Sequence, residues 1–180
     1  DLCDPSPAVT FSDAIVPGSC PQERTITRTW RATDDCGNSA TCVQTIFVDD
    51  STPPSIVCPS NLTIECTANT QPPATGVATA SDNCDLVPAV TFADATVAGG
   101  CPQEYTINRT WTATDDCGNT STCLQVILVD DRTPPSITCA AGIAVSCASQ
   151  VPPVNAGSVT SSDNCTAVPS ITHVGDVITN

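Results

Sequence analysis

Methionine is absent, aromatic residues make up 3% of the 180-residue chain, and only five lysines and arginines and one histidine occur. Each scarcity excludes something. So few aromatics and no Met leave little with which to fill a large hydrophobic core. Nineteen acidic residues against five basic ones give a formal net charge of −14, which excludes a nucleic-acid groove, since phosphate neutralisation needs Lys and Arg. The lone His173 lies where one copy of the internal repeat described below has Phe92, so it is no shared catalytic base. No Gly-x-Ser-x-Gly elbow and no phosphate-binding loop occurs. The adjacent pairs Asp34-Asp35 and Asp115-Asp116 read as solvated turn residues rather than as an acid and base flanking a scissile bond. An enzyme is therefore not expected. No run reaches the eighteen apolar residues of a membrane span and no signal peptide is seen, so a mature, soluble segment with any anchor elsewhere is expected.

What the chain does have is cysteine, 13 residues of it. Cys3, Cys84 and Cys165 are spaced by 81, and so are the pairs Cys20/Cys101, Cys36/Cys117, Cys42/Cys123, Cys58/Cys139 and Cys66/Cys147. The text repeats with them: RTWRATDDCGNSATCVQTIFVDDSTPPSI at 28–56 returns as RTWTATDDCGNTSTCLQVILVDDRTPPSI at 109–137. A period this long marks domain-sized units and not a short solenoid. Pro-Pro cannot continue a sheet ladder, so 49–54 and 130–135 read as linkers. The expected organisation is the C-terminal part of one repeat at 1–50, a complete repeat at 51–131, and the N-terminal part of a third at 132–180. An odd cysteine total then follows from partners separated by the window, within a longer natural polypeptide. Six cysteines per repeat belong to an oxidising compartment and staple a thin core, so the protein is expected outside the cell or at its surface.

Val, Ile and Thr abound and turn residues recur about every dozen positions, which predicts an all-β fold without helices. Strands are expected at 55–58, 61–66, 75–81, 89–97, 105–114 and 121–129. In 105–114, Tyr105, Ile107, Arg109 and Trp111 share one row by alternation, with the Arg109 guanidinium stacked on Trp111. Trp30 and Trp111 are expected in the core. The economical architecture is an immunoglobulin-like β-sandwich per 81-residue repeat, stapled by disulfides. Strand parity puts the loops 81–85 and 115–119 at one pole and suggests Cys84–Cys117, Cys66–Cys101 and Cys58–Cys123; carried back one period, the first becomes Cys3–Cys36. Six cysteines allow fifteen connectivities, and links between nearest neighbours, 58–66, 84–101 and 117–123, stay open.

The combination I-x-C-P, A-T-x-D-N-C and W-x-A-T-D-D-C-G-N-x-x-T-C, spread over 51–131 and both flanks, resembles the hyalin repeat family. It is most similar to the cysteine-rich version found in tandem in very large surface proteins of Bacteroidota and related bacteria. The resemblance implies immunoglobulin-like modules in adhesion and extracellular stalks, no enzymatic activity, and a first-to-last-strand link matching Cys58 and Cys123. One departure is CAA at 139–141, where 58–60 reads CPS.

Calcium is the sharpest expectation for a ligand. Asp49, Asp50, Asp82, Asn83, Asp85, Asp115, Asp116 and Asn119 would gather at the first linker, and Asp130, Asp131, Asp163 and Asn164 at the second. Hard oxygen donors on loops suit this cation, although Asp and Asn are also ordinary turn formers, and both readings stay open. Zinc on Cys117/Cys123 and Cys58/Cys66 is disfavoured by their spacing. Asn61, Asn108, Asn119 and Asn164 stand in glycosylation sequons. The function expected is that of a rigid rod, either a stalk or a fibre, joined end to end with further repeats or other copies of itself; the alternative is an adhesin whose repeats bind surface glycans or a partner protein.

Overall fold

The computed structural model describes residues 5–177. Among these the chain is all-β: eleven strands and two 3-10 turns, Ala148–Gln150 and Ala156–Ser158, with no α-helix. The strands are β1 (Ala8–Pro17), β2 (Arg24–Thr33), β3 (Ser39–Val48), β4 (Ser55–Val57), β5 (Leu62–Glu65), β6 (Thr79–Ser81), β7 (Ala89–Ala98), β8 (Tyr105–Thr114), β9 (Thr120–Asp130), β10 (Ser136–Thr138) and β11 (Thr160–Ser162). They form a three-stranded sheet β1-β2-β3, a four-stranded sheet β5-β9-β8-β7, and the two-stranded pairs β4-β6 and β10-β11. β1 and β3 both run antiparallel to β2. β5 runs parallel to β9, pairing Leu62 with Ile127 and Glu65 with Asp130.

Two hairpin connections recur one period apart, and each has a chemical cause. Between β8 and β9, Asp115 Oδ1 accepts the backbone N–H groups of Cys117 (3.0 Å) and Asn119 (2.8 Å), and Gly118 follows at φ +89°. Asp34 does the same for Cys36 and Asn38, with Gly37 at φ +86°. A short acceptor followed by a residue with positive φ is the local chemistry of a tight turn. Between β7 and β8, the Gly99 N–H donates to the Glu104 carbonyl at 2.8 Å. A Cβ on Gly99 would lie 2.5 Å from the Glu104 Cβ, so only glycine fits.

The segment 75–81, expected to be strand throughout, is strand only at Thr79–Ser81. The preceding residues form turns in which Ala74 donates to the Gln71 carbonyl and Gly76 to the Pro73 carbonyl. Pro72 and Pro73 have no N–H for a ladder, and Gly76 takes φ +93°.

The contacts divide the chain into two units, and β7, β8 and β9 each contribute residues to both. The first unit comprises 1–59, 77–93 and 109–125. Its interior holds Trp111 (2% exposed), Ala113, Arg109, Gln125, Pro54 and Ala78. The indole N–H of Trp111 donates to Gln125 Oε1 at 3.2 Å, so both buried polar groups are satisfied. The Arg109 guanidinium lies 4.6 Å from the Phe92 ring centre and 5.8 Å from that of Trp111. Arg109 thus sits on the inward row as the alternation requires, with Phe92 the nearer ring. The second unit comprises 60–76, 94–108 and 126–180. Ile107, Ile127 and Val129 form its core, packed by Leu62, Ile64, Cys66 and Tyr105.

Candidate functional site

The segment 49–54, expected to be a linker, is held to the β8–β9 turn by backbone-directed bonds. The side-chain amide of Asn119 donates to the Asp50 carbonyl at 2.9 Å and to Asp115 Oδ2 at 2.9 Å, and the Ser121 hydroxyl donates to the Pro54 carbonyl. Asp50 is thereby buried, at 5% exposure. Its Oδ1 accepts the Thr52 N–H at 3.3 Å, while its Oδ2 is buried and has no hydrogen-bond partner. A buried carboxylate oxygen with no donor is costly.

Asp82 comes up beside it. Ligand atoms of Asp50, Asp82 and Cys84 all lie within 4.8 Å of one another. Asp82 Oδ1 accepts the N–H groups of Cys84 (2.8 Å) and Asp85 (3.0 Å), and these backbone bonds hold its carboxyl below the usual range. The Cys84 thiol is pushed up by burial and then by the charges of Asp50, Asp82 and Asp115, so it stays protonated at neutral pH. The same trio recurs one period on as Asp131, Asp163 and Cys165, again within 4.8 Å. There Asp163 Oδ1 accepts from Cys165 (2.9 Å) and Thr166 (2.6 Å). An open groove of about 480 Å³, lined by Asp131, Thr133, Asp163 and Ser170 among others, reaches that pair.

The remaining residues of the expected cation set divide by what already occupies them. Asp85 spends Oδ1 on the Val87 N–H and Oδ2 on the Asp116 N–H; this second bond joins the loops 81–85 and 115–119. Asp115 is consumed by its turn and by Asn119. Asn83 is exposed and its amide contacts Cys84 Sγ at 2.9 Å. Asp49 is exposed and lies against Glu23. The Asp116 side chain is exposed. Asp130 pairs with Arg132 at 2.8 Å, and Asn164 donates to Glu65 Oε1 at 2.9 Å. The carboxylates that come together with a second oxygen not engaged above are Asp50 with Asp82 at 49–54 and Asp131 with Asp163 at 130–135.

Glu65 is the functional residue that sequence reading missed. Its Oε1 accepts from Arg132 N (3.3 Å), Thr133 Oγ1 (3.0 Å) and Asn164 Nδ2 (2.9 Å), clamping the second linker to the loop after β11. These bonds, led by that from Asn164, lower its carboxyl below the usual range. The one available signal was its type, one of only three glutamates beside sixteen aspartates; its counterpart one period on is Ser146, so the repeat pattern hid it.

The disulfides correct two of the pairings drawn from strand parity. Cys58 is bonded to Cys123, with Cα atoms 5.9 Å apart. Cys117 is bonded to Cys20 (5.0 Å) and not to Cys84, and Cys66 to Cys165 (5.9 Å) and not to Cys101. Parity correctly brought loops 81–85 and 115–119 together, but it considered only partners inside one period. The tip of the β1–β2 hairpin supplies Cys20, and the loop after β11 supplies Cys165. Cys84, Cys101 and Cys36 are exposed thiols; Cys3 lies outside the described residues.

Asn61 is exposed, but its Oδ1 accepts the Val126 N–H at 2.8 Å, Asn108 is half-buried in β8, and the amides of Asn119 and Asn164 are engaged as above. His173 is exposed and contacts Asp176 at 2.9 Å. No helix among the described residues is long and apolar enough to cross a membrane. No protein-family model and no curated protein matches the chain.

Proposed function

We propose that the chain is a segment of an extracellular structural rod, built of hyalin-like, immunoglobulin-type repeats of the period set by its cysteines and serving as a stalk or a fibre. The observation that carries this reading is that two of the three disulfides among the described residues span the Pro-Pro segments 49–54 and 130–135, read here as linkers. Cys20 precedes the linker 49–54 and its partner Cys117 follows it; Cys66 precedes the linker 130–135 and Cys165 follows it. Each compact unit thus draws on residues of two successive cysteine periods and is closed by a bond between them, which independent modules on flexible linkers would not need. A load-bearing rod does, because such bonds oppose extension of the chain through 49–54 and 130–135. Each of these bonds closes a loop of nearly a hundred residues, for which chain entropy gives roughly 4–5 kcal/mol. The high acidity suits a soluble spacer that repels its neighbours.

A divalent cation is the second element of the proposal. Asp50 has an orphaned Oδ2 and a carboxylate within 4.8 Å of that of Asp82, an arrangement that fits a hard cation better than it fits a turn, which needs no second acceptor. Calcium would take these two carboxylates and complete its shell with water, removing the penalty of the unpaired oxygen and fastening the linker to loop 81–85. Asp131 and Asp163 would hold a second ion in the same way.

Electron microscopy of the native material tests the rod directly. Thin, unbranched rods or filaments with an axial repeat of one or two domain lengths are expected. Compact particles without axial periodicity would refute the reading.

A further inference from the structure

β1 and its counterpart one period on, β7, stand at the ends of their sheets, each paired on one side only, β1 with β2 and β7 with β8. All residues of β1 are exposed, and so are all those of β7 except Val90. The open edge is thus a feature of the repeat, since β7 keeps it with strands before and after it in the chain.

An end strand presents a row of backbone N–H and C=O groups, and proteins that stay monomeric guard it with lysine, an interior proline, a bulge or a short strand. β1 and β7 have none of these. Each is 10 residues long, and the one proline is the last residue of β1. The chain has no lysine, its five basic residues being arginines. The ladder of β1 against β2 runs unbroken from Ala8↔Thr33 to Pro17↔Arg24, without a bulge. The one charge in β1, Asp13, is neutralised by Arg28 on the neighbouring strand. Val, Ile, Phe and Thr fill much of the rest and favour a further pairing.

Resting on the rod reading of the repeats, we infer that this edge joins rods side by side: β1 or β7 of one chain pairs antiparallel with the same strand, or its counterpart, of a second chain, and the two sheets continue as one.

The side chains select one register for this pairing. A slip of one residue would oppose side chains of different faces, so registers differ by steps of two. With Ser12 opposite Ser12 of the second chain, every residue of 8–16 has a partner. Thr10 meets Ala14, Ala8 meets Val16, Val9 meets Ile15 and Phe11 meets Asp13. One step further along, Asp13 would face Asp13, and like charges directly opposite destabilise a sheet. One step back pairs fewer residues. In β7 the same register sets Ala93 opposite Ala93 and Phe92 opposite Asp94, so a small residue lies on the two-fold axis in both copies.

One such edge, about 30 Å long, covers less than the roughly 1,200 Å² of a stable interface. In a rod the edge recurs with every period, and many weak contacts add by avidity. The net charge of −14 holds rods apart where no such pairing forms. A fibre of laterally joined rods follows, rather than a solitary stalk.

The test uses the full chain with its three disulfides formed and its other thiols alkylated, so that association is free of covalent links, and reads it by sedimentation equilibrium. Concentration-dependent dimers and larger species are expected. Ser12→Lys/Ala93→Lys should raise the dissociation constant by roughly fivefold or more, and so should Ser12→Glu/Ala93→Glu, because each sets like charges face to face. An equimolar mixture of the two variants should associate at least as well as the native chain. Thr45→Lys and Ala40→Lys, on the two faces of β3 at the other edge of its sheet, should leave association unchanged, and far-UV circular dichroism should be the same for all. A native chain still monomeric at about 1 mM, a mixture that fails to recover, or association abolished by either β3 variant would overturn the inference. In electron micrographs, rods that stay single at every concentration would overturn it while leaving the rod standing, whereas compact particles would remove the rod itself.

Discussion

Arg109 lies 4.6 Å above the Phe92 ring and is fully buried; Arg28 lies at the same distance above Phe11 but is half-exposed, and its two bonds of 2.8 Å to Asp13 are made at that half-exposed position. The two sites share their sequence and differ in what covers them. Arg109→Ala should therefore cost about 3 kcal/mol, from lost packing of its stem and an exposed pair of ring faces in a closed core. Arg28→Ala should cost less than about 1 kcal/mol, as for a solvent-screened ion pair. Denaturant unfolding followed by circular dichroism compares them; equal losses would mean that the two faces are equally covered.

The unpaired Oδ2 of Asp50 makes a prediction of opposite signs with and without cation. In chelator, Asp50→Asn should leave stability unchanged or raise it by up to about 1 kcal/mol, because a buried carboxylate oxygen without a donor is removed. In calcium, the native chain should gain about 1.4 kcal/mol at ten times its Kd, and Asp50→Asn should lose most of that gain. Asp116→Asn, whose side chain is exposed, should keep it. Thermal melts of the three proteins at both conditions decide the matter, and a native melting curve indifferent to calcium would remove the cation from the account.

Acid should loosen the chain only below the ordinary carboxylate range. Asp13, Asp34, Asp82, Glu23 and Glu65 all have lowered pKa values, caused chiefly by hydrogen bonds, from Arg28, Asn38, backbone N–H groups of 84–85, Ser19 and Asn164 respectively. A carboxylate depressed by folding adds stability that is fully present above its unfolded pKa and is lost as pH falls through its folded one. The melting temperature should stay level from pH 7 to about 5 and fall below about 4. A decline already under way between pH 7 and 6 would point to groups other than these.

The fold was more legible than its joints. Strand alternation in 105–114 put Tyr105, Ile107, Arg109 and Trp111 on one row, and that row is the buried one. Local chemistry was equally readable where it depended on neighbours in sequence, as in the turns built on Asp34 and Asp115. Three features could not be read. The partners of Cys66 and Cys117 lie 99 and 97 residues away, more than one cysteine period, and spacing alone does not tell a bond within a period from one to the next. Glu65 acts through a contact 99 residues away, at a position the next copy does not keep. Of the eight acidic and amide residues gathered at the first linker, only the structure shows that Asp85, Asp115 and Asn119 are already occupied by hydrogen bonds and that Asp50 Oδ2 is not.

The central claim is that covalent bonds span the Pro-Pro segments 49–54 and 130–135, and a non-reducing peptide map of the refolded chain tests it most directly. Peptides joining Cys20 to Cys117 and Cys66 to Cys165, beside Cys58 to Cys123, are the predicted result. Recovery of Cys84–Cys117 and Cys66–Cys101, or of the nearest-neighbour links 58–66, 84–101 and 117–123, would confine every bond to less than one cysteine period and contradict the account.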